Sequence, residues 1–124
     1  MTTRPPKTSP LTPAEYYVLA ALAMQDMHAY RLCYKVERDS DHAIHVSSGW
    51  MANLLQKLIG KCYVEPLSDV GRGRLYKLTE AGRLRLEREV RQHQRAVIVG
   101  QTALVQAARY HDAPELYSPI MELI

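Results

Sequence analysis

The stretch that most constrains this chain runs from Ser47 to Gly82, SSGWMANLLQKLIGKCYVEPLSDVGRGRLYKLTEAG. Its first part carries Met51, Leu54, Leu55 and Leu58 at i, i+3, i+4 and i+7, a spacing that puts four apolar side chains on one face of a helix. Ser47 or Ser48 caps that helix by accepting a hydrogen bond from a free backbone N–H. With the apolar face turned inward, Asn53, Gln56 and Lys57 point the other way, flanked by Trp50 and Ala52. Two short strand-like runs follow, Tyr63 to Ser68 and Arg74 to Thr79, around the tip Asp69-Val70-Gly71-Arg72-Gly73-Arg74. The glycines permit a tight turn, and the two arginines there have little to pair with locally. Pro66 lacks a ladder donor, so its strand belongs at an edge or a bulge.

Helix, hairpin and basic tip in this order form the layout of a winged helix-turn-helix that reads double-stranded DNA. Asn and Gln side chains pair bidentately with adenine, and Lys binds guanine edges or phosphate. The expected DNA contacts are Ser48, Trp50, Asn53, Gln56, Lys57 and Lys61 on the helix and its end, with Arg72 and Arg74 on the wing. Trp50 has a second reading, packing over the loop around Val46, which is the favoured one because a Trp beside an apolar stripe usually buries its ring. Net charge is +3 over 124 residues, and its distribution says more than its size. Residues 1–46 hold five basic and five acidic side chains, residues 47–95 ten and five, and residues 96–124 one and three. The positive excess therefore falls on the segment expected to meet phosphate.

The same residues carry a family likeness. GRGRLYKLTEAG followed by a long charged helix resembles the PadR-type transcriptional regulators, as does His28-Ala29-Tyr30, which is similar to the His-Gly-Tyr at the start of their second helix. Gly49 and Met51 match the Gly and Leu of their Gly-Thr-Leu-Tyr recognition motif, whereas Trp50 and Ala52 replace its Thr and Tyr. Cys62 stands where the family tends to have a helix-ending Gly, with Gly60 as an earlier stop. The likeness covers Leu11 to about Arg95. It implies a dimeric regulator of transcription that senses a small aromatic or amphipathic effector near the dimer interface.

Upstream, residues 1–10 form a Pro/Thr/Ser tail with Arg4 and Lys7. Thr12-Pro13-Ala14-Glu15 is a capping box with Pro in the first turn, so a helix starts there. It is expected to run to about Gln25 with Tyr16, Leu19, Ala20 and Ala23 as its inner stripe, widened by Val18 and Leu22. A second helix is expected from about Ala29 to Arg38, with Ala29, Leu32, Cys33 and Val36 facing inward. Cys33 is then a small apolar group. Ile44 and Val46 alternate with polar neighbours, which predicts a short strand pairing with the wing. His42 and His45 lack the spacing of a zinc pair and read as surface histidines. With eight Tyr, one Trp and no Phe, tyrosines supply much of the aromatic packing.

Thr79 is expected to cap a fourth helix from about Glu80 to about Tyr110. Arg83, Arg85, Arg88, Arg91 and Arg95 give its first half a charged, solvated character. Leu86, Val90, Val97 and Leu104 fall on a heptad seam, with His93, Gly100 and Ala107 in its other places, and Leu86, Val90, Val97, Leu104 and Ala107 are the expected dimerisation residues. Beyond Arg95 the helix is too apolar to stand in water, and the simplest partner is a second copy. Asp112-Ala113-Pro114-Glu115 repeats the capping logic and predicts a short last helix.

The expected architecture is mainly α with a small β-hairpin wing: a tail at 1–10, a winged helix at 11–79 and a helical dimerisation region at 80–124. The expected function is a sequence-specific regulator, a repressor that binds an inverted-repeat operator as a homodimer. The alternative is a winged helix that binds protein and not DNA; the Arg72/Arg74 wing favours DNA. No Ser/His/Asp set, phosphate loop, carboxylate pair or metal cluster is legible, so no enzyme, cofactor or metal is expected. Two cysteines, no signal-peptide core and no apolar run of about 18 residues predict a cytoplasmic protein without a membrane span.

Overall fold

A computed structural model describes residues 10–67 and 73–112. The elements in chain order are α1 (Pro13–Met24), β1 (Met27–His28), α2 (Ala29–Asp39), α3 (Ser48–Gly60), β2 (Val64–Pro66), β3 (Leu75–Leu78) and α4 (Glu80–Asp112). The chain divides into two compact units, residues 1–89 and 90–124, and α4 runs through the division. The tail at 1–9, the wing tip with Arg72, and the expected last helix lie outside the described residues.

In the first unit, local chemistry sets the start of α1. Thr12 Oγ1 accepts from the Glu15 backbone N–H at 3.2 Å, and Glu15 Oε1 accepts from the Thr12 N–H at 2.8 Å, the reciprocal capping box. The buried face of α1 differs from the expected stripe. Ala14, Glu15, Val18, Leu19, Ala21 and Leu22 are buried, Tyr16 is half-buried and Ala23 is exposed. Leu32 and Val36 of α2 and Met51, Leu54, Leu55 and Leu58 of α3 complete this core, with Val46 and Val64. Cys33 packs half-buried against it, and burial pushes its thiol pKa up, which keeps it protonated at neutral pH.

The sheet is antiparallel in the order β1-β3-β2. Met27 pairs with Tyr76 and His28 with Leu75, while Val64, Glu65 and Pro66 pair with Leu78, Lys77 and Tyr76. Pro66 is thus on an edge strand, where its missing N–H breaks no ladder. The third strand is Met27–His28 and not the segment around Ile44, which has no strand. Ile44 instead lies in the α2–α3 connection, where its N–H donates to Ser40 Oγ at 3.1 Å.

Both helices that flank this connection end in Schellman motifs. After α3, the Cys62 N–H bonds to the Ile59 carbonyl at 2.9 Å and the Tyr63 N–H to that of Leu58 at 3.0 Å, with Cys62 at φ +65°. After α2, Asp41 and His42 do the same at φ +54° and +64°. Gly60 is the last helical residue of α3, and Cys62 itself takes the left-handed position that usually falls to glycine.

The Leu-Thr-Glu-Ala-Gly run has a structural explanation. Thr79 Oγ1 donates to the Cys62 carbonyl at 2.6 Å and accepts from the Gly82 N–H at 3.0 Å, so one hydroxyl caps α4 and ties it to the end of α3. A Cβ at Gly82 would lie 2.2 Å from the Tyr63 carbonyl oxygen, closer than any side chain can approach. The first part of α4 is less solvated than its arginines suggest. Arg85 and Glu89 are buried and joined at 2.9 Å, and Leu86 packs half-buried against the core. Arg83 does lie on the surface, bridging Glu80 and Glu87.

Candidate nucleic-acid interface

Helix α3 presents two chemically opposite faces. Met51, Leu54, Leu55 and Leu58 are buried, while Ser48, Trp50, Asn53, Gln56 and Lys57 are exposed. Ser47 is the cap, its Oγ accepting from the Trp50 N–H at 3.2 Å, so Ser48 becomes the first helical residue. Asn53 and Gln56 make no side-chain hydrogen bond among the described residues, which leaves their amides available. Trp50 keeps 48% of its surface exposed, so the favoured burial of its ring is not what the structure shows. It lines a groove of about 550 Å³ between the start of α1, the α2–α3 connection and α3, together with Pro13, Ile44, Asn53 and Lys57.

The lysines are less simple than their sequence positions suggest. Glu15 is only 2% exposed, and its Oε2 accepts no hydrogen bond. Lys57 Nζ lies 3.6 Å from that oxygen and Lys61 Nζ 3.8 Å. Burial pushes the Glu15 carboxyl pKa up, but the Thr12 N–H and the Lys61 and Lys57 ammoniums outweigh it, and the group titrates below the ordinary carboxylate range. Lys57 remains largely exposed and Lys61 is half-buried. In the sequence Glu15 reads as a capping residue; Lys57 on α3 and Lys61 just past its end, four residues apart, carry no local sign that they meet an acid on another helix.

The wing is rooted on the start of α2. His28 Nδ1 lies 3.1 Å from the Arg74 carbonyl oxygen, to which it donates in the tautomer protonated there. The His28 and Tyr30 rings stack with centroids 5.8 Å apart. His-Ala-Tyr thus joins α2 to Arg74, the exposed residue just before β3. His45 Nδ1 meets Glu37 Oε1 at 2.8 Å, with His42 at 3.8 Å from the other oxygen. Among the described residues, no group of three or more His, Cys, Asp or Glu is placed to hold a metal ion, and no helix is long and apolar enough to cross a membrane.

In the second unit, residues 90–112 of α4 leave Val97, Ile98, Val99, Leu104 and Val105 exposed, with Leu104 at 73%. Of the seam residues, Val97, Leu104 and Ala107 are exposed and Val90 is half-buried, while Leu86 belongs to the core of the first unit.

No family model matches the sequence. A PadR family transcription regulator from Clostridium difficile R20291 superposes with a TM-score of 0.65 at 16% identity, over 75% of this chain and 99% of that one. The fold is the winged-helix fold of the PadR regulators. At this identity the likeness is one of fold. The PadR-like arrangement also superposes on ZitR of Lactococcus lactis, solved in complex with DNA, with a TM-score of 0.58 and 19% identity over 76% of this chain and 60% of that one. In sequence, the chain is 40% identical over 76 residues to an uncharacterized 37.1 kDa protein in transposon TN4556 of Streptomyces fradiae. That match takes in 61% of this chain and 21% of the relative, so the chain spans about a fifth of the curated protein it resembles.

Proposed function

We propose that this chain is a sequence-specific DNA-binding regulator of transcription, with α3 as the element that enters the major groove. The observation that carries this reading is the exposed polar face of α3. Among the described residues, Asn53 and Gln56 stand there without side-chain hydrogen bonds, opposite a buried apolar face, in a fold shared with transcription regulators. Ser48, Trp50 and Lys57 extend the face, Lys61 sits at its end, and Arg72 and Arg74 on the wing contact phosphate or the minor groove. The likeness to ZitR, solved with DNA, supports the same reading.

The protein acts as a homodimer through the apolar part of α4, with Val97, Leu104 and Ala107 at the seam and Val90 and Leu86 leading into it. Val97, Ile98, Val99, Leu104 and Val105 are all exposed within nine residues of α4, and exposed apolar surface of this density marks an interaction site. A two-fold dimer presents two copies of α3 about 34 Å apart, so the operator is an inverted repeat. Repression with release by a small aromatic or amphipathic effector completes the proposal. The test is selection of bound duplexes from a random pool. Recovered sites with dyad symmetry support the reading; failure to enrich any sequence overturns it.

A further inference from the structure

Two lysines of the reading helix share one buried acid. Among the described residues, Glu15 Oε2 is buried without a hydrogen bond, and the Lys57 and Lys61 ammoniums are the cations that approach it, at 3.6 and 3.8 Å. Its other oxygen is committed to the Thr12 N–H. The carboxylate is fixed by burial and by the first turn of α1, whereas Lys57 is 57% exposed and free to swing on its four-carbon stem. Two ammoniums beside one carboxylate present one net positive charge where an unmasked pair would present two.

We infer that Glu15 is a specificity-determining residue of the DNA-binding reading above: it holds Lys57 and Lys61 partly neutralised, so that α3 gains little from phosphate on DNA of any sequence. Phosphate attraction supplies essentially all non-specific binding, and it grows with each cation presented. The groups that read bases on α3, Asn53 and Gln56, are neutral. Masking the neighbouring lysines therefore lowers sequence-blind affinity while leaving base readout in place. The gap between operator and bulk DNA widens. This inference rests on α3 being the DNA-reading helix.

The fold offers a clean variant. A capping box accepts Gln as well as Glu, so Glu15→Gln keeps the hydrogen bond to Thr12 and removes only the charge. The measurement is binding of the full chain to a random-sequence 20-bp duplex and to a duplex selected from a random pool, across salt concentration. Glu15→Gln should steepen the salt dependence on the random duplex by about one unit of log–log slope and raise its affinity about three- to tenfold near 0.1 M salt. The selected duplex should gain less than the random one, so the ratio between them falls; a ratio that stays level or rises overturns the inference. Replacing both Lys57 and Lys61 by Met should abolish the effect of Glu15→Gln on the slope, a coupling that a mere loss of fold would not produce. Thermal unfolding of each variant checks that binding is compared between folded proteins. If the natural chain binds duplexes but Glu15→Gln leaves the slope unaltered, or steepens it as much when both lysines are Met, this inference fails and the DNA reading stands. If the natural chain binds no duplex, both fail together.

Discussion

Cys62 holds a left-handed backbone conformation, φ +65°, at the end of α3. A side chain there crowds the backbone, which costs about 1–2 kcal/mol for residues other than glycine. Glycine also loses more freedom on folding, so Cys62→Gly should stabilise the protein by a net of about 0.5–1 kcal/mol, read from the urea midpoint at unchanged m-value. Its carbonyl bond from Thr79 is a backbone interaction and survives the change. Glu15 gives a second expectation at this scale. Its carboxyl titrates low in the folded chain because Thr12, Lys61 and Lys57 overcome the effect of burial. A carboxyl with a depressed folded pKa adds stability that is fully present above its unfolded value, about 4.3, and is lost as pH falls through the folded value. The stability difference between the natural chain and Glu15→Gln should therefore be constant from pH 7 to about 5.5 and shrink in acid, as measured by urea unfolding at each pH.

At the scale of elements, α3 is where structure and proposed function meet. Asn53→Ala and Gln56→Ala should each relax base preference at one position per half-site, by about 1–3 kcal/mol, in competition binding against single-base operator variants. How much of this helix was legible follows from where its information lies. The four buried residues of α3 and the Thr12–Glu15 capping box are local patterns, written within one or two turns, and the structure places them as the spacing predicts. The strand at Met27–His28 was not legible. It is two residues long, and its partner Leu75–Tyr76 lies far along the chain, so no local alternation announces it. The alternation at Ile44 and Val46 suggested a strand instead, yet there Ser40 and the Schellman motif of α2 occupy the backbone. Arg85 and Glu89 escaped for a similar reason. An i,i+4 ion pair looks the same in sequence whether it faces water or is buried.

For the molecule as a whole, the apolar surface of residues 97–105 sets the expectation for assembly. Val97→Asp with Leu104→Asp should shift the protein to monomers at micromolar concentration in sedimentation, while the far-ultraviolet circular dichroism of the winged helix is retained. The order of strands in the sheet carries a consequence of another kind. β3 is the middle strand, so both edges depend on the last strand to be made. During synthesis α1, α2 and α3 can form before β3 leaves the ribosome, each from contacts near in sequence. The sheet cannot begin to close until Leu75 and Tyr76 have emerged, because β1 and β2 have no ladder with each other. Until then Met27 and His28 wait with unpaired backbone, and the start of α2 is untethered. The nascent chain thus passes from a loose set of helices to a finished domain in one late event, at the moment the first turn of α4 follows β3 into solution.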